Sequence, residues 1–172
     1  MASNHYEASI DIGTEKIALL VAEPEAEDNF RIIAHNVCSS EGVTKGSLRS
    51  IDSLSRVINK LIDQTVESFN LTFDLVRVNI SDTHLTCTDG KGKVSVDEAV
   101  TLQDLNSVLE SAMAMSTPTN KQKLHRIKKK FTINETVIVD NPMGMEAEVL
   151  ESKVHIVTVS SSSVRNIESC IK

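Results

Sequence analysis

Three apolar segments near the start of the chain alternate with a period of two residues, and this pattern constrains the fold more than any other feature. The segments cover residues 8–12, 17–22 and 30–36. Alternation at this period is typical of strands that bury one face. The connections are short, one around Gly13 and one through the acidic stretch EPEAEDN. We therefore predict three consecutive antiparallel strands joined by hairpins.

The rest of the chain predicts three helices and further strands. Apolar residues at helical spacing over 54–66 predict a helix with Asp52 or Ser53 as its N-cap, ending near residues 69–70. A second helix begins at Thr101, which forms a capping box with Asp104. The stretches DLVRVNIS, KLHRIKKKFTIN and VHIVTVS predict strands, and DGKG predicts a tight turn between strands HLTCT and KVSV. The last residues, SSSVRNIESCIK, begin a third helix.

This order of elements indicates two modules. One covers residues 1–73 and resumes over 159–172, and the other, residues 74–158, is inserted within it. The pattern of the third helix stops after about three turns, which is short for an amphipathic helix. We therefore expect the chain to be the front part of a longer protein or a shortened form of one.

Composition excludes several classes of protein. The chain has 172 residues, of which 40% are hydrophobic, and a net charge of -6. An acidic chain lacks the basic face that phosphate neutralisation requires, so nucleic acid is not expected as a ligand. No run of about 18 apolar residues is present, so direct membrane insertion is not expected. The three cysteines are scattered, as is typical of reduced thiols in a cytosol, and no histidine spacing indicates a metal site.

The turn DIGTEK is the first candidate site. It carries Asp11, Gly13, Thr14 and Lys16. Gly13 permits a close backbone approach, Thr14 offers a hydroxyl, and Asp11 is able to hold a metal through water. The same four residues also suit an ordinary structural turn, and the sequence leaves both alternatives open. The six glycines include no second Gly-rich cluster, and no GxSxG or HExxH motif is present. We therefore expect no catalysis and no required cofactor, with ATP and Mg²⁺ bound only if a second half is supplied.

The basic run KQKLHRIKKK is the second candidate site. On a regular strand Arg126, Lys128 and Lys130 share one face, whereas Ile127, Lys129 and Phe131 share the other. Lysines on an exposed strand protect a sheet edge from aggregation. The same cations also suit a docking patch for an acidic partner. Nucleic acid is disfavoured because no aromatic residues are interleaved for base stacking.

Four motifs in order, DIGTEKIALLV, EGVTKGSLRSIDSL, VNISDTHLTC and NPMGMEAEVLESKVHIVT, resemble the FtsA family of bacterial cell-division ATPases in the actin superfamily. The resemblance covers nearly the whole chain. It implies an α/β (α+β) fold: a partial actin-like, ribonuclease-H-like subdomain 1A with an inserted strand–helix–strand–strand module of the 1C type. It also implies that Asp11, Gly13, Thr14 and Lys16 lie on the first phosphate-binding hairpin.

The resemblance implies a function as well. FtsA proteins self-associate and recruit division proteins, so the expected partners are an FtsN-like cytoplasmic tail and other FtsA subunits, including a homodimer. In the family, the second phosphate motif, the adenosine pocket, the FtsZ-binding subdomain and the membrane helix follow the region matched here, so FtsZ binding through this segment is not expected. The expected location is cytoplasmic, at the septum, on the inner face of the membrane through partners. The alternative is a nucleotide-binding half of an actin-like ATPase, completed by a second chain or by further sequence.

Overall fold

The computed structural model describes residues 6–26, 29–73, 75–83, 85–114 and 117–171, and the chain divides into two compact units. Unit 1 comprises Met1–Thr83 and Ser162–Lys172, and unit 2 comprises His84–Ser161. The elements in chain order are β1 (Glu7–Ile12), β2 (Lys16–Pro24), β3 (Phe30–Ser39), β4 (Val43–Thr44), β5 (Ser47–Leu48), α1 (Ile51–Phe69), β6 (Val76–Val78), β7 (Thr86–Ser95), α2 (Leu102–Met113), β8 (Lys121–Ile133), β9 (Val137–Val139), β10 (Val149–Ser160) and α3 (Ser161–Ile171).

Unit 1 is built on a four-stranded sheet in the order β3-β2-β1-β6. Strands β1, β2 and β3 are antiparallel neighbours, so the predicted run of three consecutive antiparallel strands is confirmed. Strand β6 runs parallel to β1, with Ile10 opposite Val78. A parallel neighbour requires a crossover connection, which here contains α1. The sheet is therefore mixed.

Helix α1 covers one face of this sheet. Its buried residues Leu54, Ile58 and Leu61 recur at helical spacing and join the apolar residues of β1 and β2 in one core. The N-cap is Ser50, whose Oγ accepts a hydrogen bond from the Ser53 backbone N–H. The predicted caps, Asp52 and Ser53, therefore lie inside the first turn. Asn70 ends the helix in the left-handed conformation with φ 49°.

The boundary between the units differs from the predicted one. The prediction began the inserted module at residue 74 and ended it at 158. The stretch around β6 instead belongs to unit 1, because β6 pairs with β1. At the other side unit 2 continues to Ser161, because β10 runs to Ser160. Asp74 itself lies outside the described residues.

Unit 2 has a four-stranded antiparallel sheet in the order β7-β10-β8-β9, with α2 on one face. Alternate residues of β10, including Leu150, Val154 and Ile156, are buried on the face that carries the apolar core. The predicted capping box is confirmed, because Thr101 accepts from the Asp104 N–H and Asp104 Oδ2 accepts from the Thr101 N–H at 2.9 Å. This bonding lowers the pKa of Asp104, chiefly through the Thr101 side chain.

The predicted tight turn at DGKG is wrong. Strand β7 runs without a break from Thr86 to Ser95 and pairs with β10 along its length. The glycines serve packing instead, since a Cβ on Gly90 would lie 2.0 Å from the Ala112 carbonyl oxygen, and one on Gly92 would lie 2.1 Å from that of Val108. Two glycines on the same face of β7 therefore allow the backbone of α2 to approach the sheet closely.

The short strand β9, which pairs with the end of β8, was not predicted from the sequence. The third helix was predicted correctly and appears as α3. Its Cys170 is fully buried in the core of unit 1. No helix of the described residues is both long enough and apolar enough to cross a membrane.

Replacing Gly90 by Ala is expected to displace α2, because the added methyl group would meet a backbone oxygen that cannot rotate away. We expect a loss of about 1–3 kcal/mol in the stability of unit 2, the usual range for overpacking. Amide hydrogen exchange of α2, together with urea denaturation, measures this loss. The control is Lys91→Ala, on the same strand but on the exposed face, which should change stability by less than about 0.5 kcal/mol. Equal protection of α2 in both variants would contradict the packing role of Gly90.

Candidate functional site

The first predicted group of site residues lies on the β1–β2 hairpin. The Gly13 N–H donates to the Lys16 carbonyl oxygen at 2.9 Å and closes the turn. A Cβ on Gly13 would lie 2.9 Å from the same oxygen, closer than side chains normally approach. Asp11 lies near the end of β1, Thr14 in the turn, and Lys16 at the start of β2, all exposed.

Two other segments of unit 1 hold this hairpin. Thr14 Oγ1 accepts a hydrogen bond of 2.9 Å from the Gly46 N–H, in the turn between β4 and β5. Asn79, which follows β6, donates to Asp11 Oδ1 at 2.7 Å and accepts from the Ile12 N–H at 2.8 Å. Gly46 and Asn79 were not predicted as site residues. Asn79 directly follows a strand, but the pairing of that strand with β1, which brings Asn79 to the hairpin, has no local sequence signal.

The chemistry of the hairpin fits contact with one side of a phosphate group. Thr14 accepts one hydrogen bond and keeps its O–H to donate, while the Lys16 ammonium supplies an exposed positive charge. In the predicted role the Asp11 carboxylate would hold Mg²⁺ through water, and Asn79 donates a hydrogen bond to this carboxylate. A bound ATP with Mg²⁺ would supply the phosphate group, with its negative charge, that these residues would contact. The role of these four residues stays a prediction.

The second predicted group lies on β8, at an edge of the sheet of unit 2. Strand β8 pairs with β10 on one side along most of its length. On its other side β9 pairs only from Phe131 to Ile133. Within the described part of the chain, no strand covers that side of β8 before Phe131. The stretch from Lys121 to Lys130 is therefore an open strand edge.

Two register shifts interrupt this edge and correct the predicted faces. Lys128 lies opposite Val154, whereas Phe131 lies opposite Ser152, so three steps along β8 match two along β10. Such a bulge reverses the alternation. Arg126 and Lys128 share a face as predicted, but Phe131 lies on that face too, and Lys130 falls inside the bulge.

A second register shift lies between Val157 and Thr158 of β10. Val157 lies opposite His125, whereas Thr158 lies opposite Lys123, so one step along β10 matches two along β8. The four residues between the two shifts, His125 to Lys128, pair with consecutive residues of β10, and we call this stretch the regular edge.

Most cations of the basic run are already engaged. Lys129 Nζ lies 2.7 Å from Asp89 Oδ2, and Lys130 Nζ lies 3.4 Å from Asp140 Oδ1. Lys123 Nζ donates to the Met113 carbonyl oxygen at the end of α2, and Lys121 bonds Thr86.

Two cations of the run stand apart from this pattern. Among the described residues, neither Arg126 nor Lys128 has a carboxylate within salt-bridge distance. The Lys128 ammonium lies 5.7 Å from the centre of the Phe131 ring, a cation–π contact. Arg126 and Lys128 are therefore the cations available to a partner.

A charged cluster lies on the opposite face of the sheet. His155 Nδ1 lies 2.8 Å from Asp89 Oδ1, while Lys129 bonds the other carboxylate oxygen. Hydrogen bonds from Lys129 and then from His155 lower the pKa of Asp89 to about 2, from an ordinary value of 3.8. His155 is therefore a hydrogen-bonded histidine at the surface of the sheet. In the described ranges, no group of three or more histidine, cysteine, aspartate or glutamate side chains is placed to hold a metal ion.

Comparison with solved structures defines the class of fold. The structure titled "PilM-PilN type IV pilus biogenesis complex" matches with a TM-score of 0.53 and 10% sequence identity, covering 97% of this chain and 43% of that one. At this identity the likeness concerns the fold alone. The chain is thus a mixed α/β protein with a partial actin-like fold, and the predicted fold class is confirmed.

Sequence comparisons are more specific. Residues 82–158 match the family model described as "SHS2 domain inserted in FTSA". The chain is 30% identical to the cell division protein FtsA of Pseudomonas aeruginosa over 164 residues, covering 95% of this chain and 39% of the relative. It is 27% identical to FtsA of Escherichia coli with the same coverage, and 30% identical to FtsA of Borreliella burgdorferi, covering 94% of this chain and 40% of the relative. The predicted resemblance to FtsA is confirmed, and the chain spans about two fifths of the length of these relatives.

Removing the ammonium group of Lys129 should raise the pKa of Asp89 from about 2 towards 3.8. The reason is that Asp89 loses the hydrogen bond that contributes most to its lowered pKa. The interactions of Asp89 lower its pKa in the folded state. They therefore stabilise the folded state fully above about pH 4, and this stabilisation is lost as the pH falls towards 2. NMR titration of the Asp89 carboxyl carbon in Lys129→Met measures the change. Lys130→Met is the control, because Lys130 pairs with Asp140 instead. An unchanged Asp89 midpoint in Lys129→Met would contradict the assignment.

Proposed function

We propose that this chain acts in bacterial cell division as a protein–protein interaction module that resembles part of FtsA. The similarity to FtsA proteins extends over nearly the whole chain and supports the cell-division role. The match of residues 82–158 to the SHS2 domain inserted in FtsA supports the view that unit 2 is the interaction module.

The observation that carries the interaction role is the open edge of β8. On the side away from β10, the backbone of β8 has no strand partner before Phe131 in the described residues. The two cations Arg126 and Lys128 beside this edge have no carboxylate partner among the same residues. Exposed strand edges are templates for pairing with another chain. A unit with its own core and such an edge is able to bind a partner without refolding.

The proposed partners are division proteins, including an FtsN-like cytoplasmic tail and other copies of FtsA. Self-association, including a homodimer, belongs to this proposal, while contact with FtsZ is not assigned to this segment. The proposed location is the septum, on the cytoplasmic face of the membrane, reached through these partners. In this role the chain binds and recruits, and it catalyses no reaction by itself.

Reversing the two available charges tests the module. In Arg126→Glu/Lys128→Glu, a fluorescent fusion of the chain in dividing bacteria should lose its enrichment at division sites. Capture of division proteins should fall about tenfold, which corresponds to about 1.4 kcal/mol. The physical reason is that both cations belong to the regular edge, His125 to Lys128, and have no carboxylate partner among the described residues.

The control for this test is Lys91→Glu/Lys153→Glu, which makes the same change in net charge elsewhere on unit 2. These two exposed residues lie opposite each other on β7 and β10, on the face of the sheet opposite to the one that carries Arg126 and Lys128. Circular dichroism should show that both double variants are folded. If the wild-type chain fails to gather at division sites, or if the β8 variant gathers as well as the control, the proposed function is wrong.

A second candidate function is a nucleotide-binding half of an actin-like ATPase, completed by a second chain or by further sequence. The observation in its favour is that the hairpin is held by Gly46 and Asn79, which orient Thr14 and Asp11. A phosphate-binding hairpin needs such preorganisation.

Calorimetry with millimolar ATP and Mg²⁺ tests this second candidate. Binding heat in the wild-type chain that disappears in Asp11→Ala and in Thr14→Ala would support it. Thr88→Ala, in unit 2, is the control and should keep the wild-type heat. The absence of heat with the wild-type chain would remove nucleotide binding by this chain alone.

A further inference from the structure

We infer that the regular edge, His125 to Lys128, binds an extended acidic peptide by strand addition and selects a sequence in which acidic and apolar residues alternate. This inference deepens the proposed function, on which it rests for its biological setting, because it states the chemistry of the partner.

The backbone geometry of β8 provides the template. In an antiparallel pair, alternate residues direct their N–H and C=O groups to the same neighbour. Because β10 occupies one side of β8, every second residue of the regular edge directs these groups to the open side. Strand addition uses such groups for affinity and the side chains for specificity. The two register shifts confine regular pairing to about four partner residues.

The side chains of the regular edge differ between the two faces. Arg126 lies opposite Ile156, and Lys128 lies opposite Val154, so both cations share the face that carries the core of unit 2. Ile127 lies opposite His155 on the other face and is 54% exposed. A large exposed apolar side chain between two cations that lack acid partners is the feature that selects a sequence.

Cross-strand neighbours lie about 5 Å apart on the same face of a sheet. A strand added beside β8 would therefore place alternate residues beside Arg126 and Lys128. Carboxylates suit these positions, because they would form charge-assisted hydrogen bonds with both cations. The residue between them would lie beside Ile127, where an apolar side chain buries surface. The recognised core is thus acidic–apolar–acidic.

The charges around the edge favour this occupant. The nearby carboxylates are already engaged, Asp89 with Lys129 and His155, and Asp140 with Lys130. Arg126 and Lys128 therefore keep their charge for a partner, although the chain as a whole has a net charge of -6. A local basic edge on an acidic protein attracts an acidic segment only when that segment fits the edge. Long nucleic acids would be repelled by the remaining surface.

The experiment uses the whole chain and a fluorescein-labelled peptide of eight alternating glutamate and valine residues. Fluorescence anisotropy should show saturable binding that weakens as salt increases. A peptide of the same composition with four glutamates followed by four valines should bind at least about fivefold more weakly, because it cannot place carboxylates beside both cations and an apolar side chain beside Ile127 at the same time. An alternating peptide with N-methylated backbone amides should lose binding similarly, because it cannot complete the ladder.

Variants of the chain locate the binding site. Arg126→Glu/Lys128→Glu should weaken binding of the alternating peptide at least about tenfold, and Ile127→Ser should weaken it severalfold. The matched control Lys91→Glu/Lys153→Glu should bind within about twofold of the wild-type chain. Amide hydrogen exchange should slow within His125 to Lys128 when the peptide binds. This last readout separates strand addition from attraction between side chains alone.

Each outcome decides the inference. Equal binding of the alternating and block peptides, or equal loss in the two double variants, would show attraction by charge alone and overturn it. It would also be overturned if the chain bound a single-stranded oligonucleotide but not the peptide, or if a second copy of the chain occupied the edge at all concentrations. Peptide binding without enrichment at division sites would contradict the proposed function and support the inference. Enrichment at division sites without peptide binding would support the proposed function and contradict the inference.

Discussion

The pairing of β8 with β10 is the interaction on which the candidate binding surface of this protein depends. From Phe131 to Ile133, β8 lies between β10 and β9, inside the sheet. The earlier part of β8 pairs only with β10 and forms the open edge. The register shift between Lys128 and Phe131 brings Phe131 and Ile133 into the core, while Arg126 and Lys128 stay exposed. A strand without this shift would have put a lysine where the aromatic ring now packs. The same irregularity therefore serves both the core and the surface.

The sequence predicted the elements of this protein better than their pairing. Local signals identified the first three strands, the capping box at Thr101 and the positions of all three helices, because each depends on residues within a few positions. Gly90 and Gly92 were predicted to form a turn, because glycine suits both a tight turn and a close helix contact, and only the position of α2 distinguishes the two. The parallel pairing of β6 with β1 joins residues about 70 positions apart, and no local pattern encodes it.

The candidate sites show the same division between what is local and what is not. Asp11, Gly13, Thr14 and Lys16 were predicted to lie on a hairpin, and they do. Their partners Gly46 and Asn79 come from distant segments, so the preorganisation of the hairpin was not visible in the sequence. On β8, strict alternation placed Lys130 with Arg126 and Lys128, but a bulge follows no simple residue pattern. The available cations could be identified only after the engaged ones had been assigned to Asp89 and Asp140.

The burial of Cys170 in the core of unit 1 has a consequence for the order in which the protein is made. Unit 1 is assembled from two segments of the chain, whereas unit 2 is continuous in sequence. Domains tend to fold as units while the ribosome extends the chain. The inserted unit leaves the ribosome complete before α3 does, so the first segment of unit 1 must wait, with part of its core unfilled, until the chain has passed through the whole of unit 2.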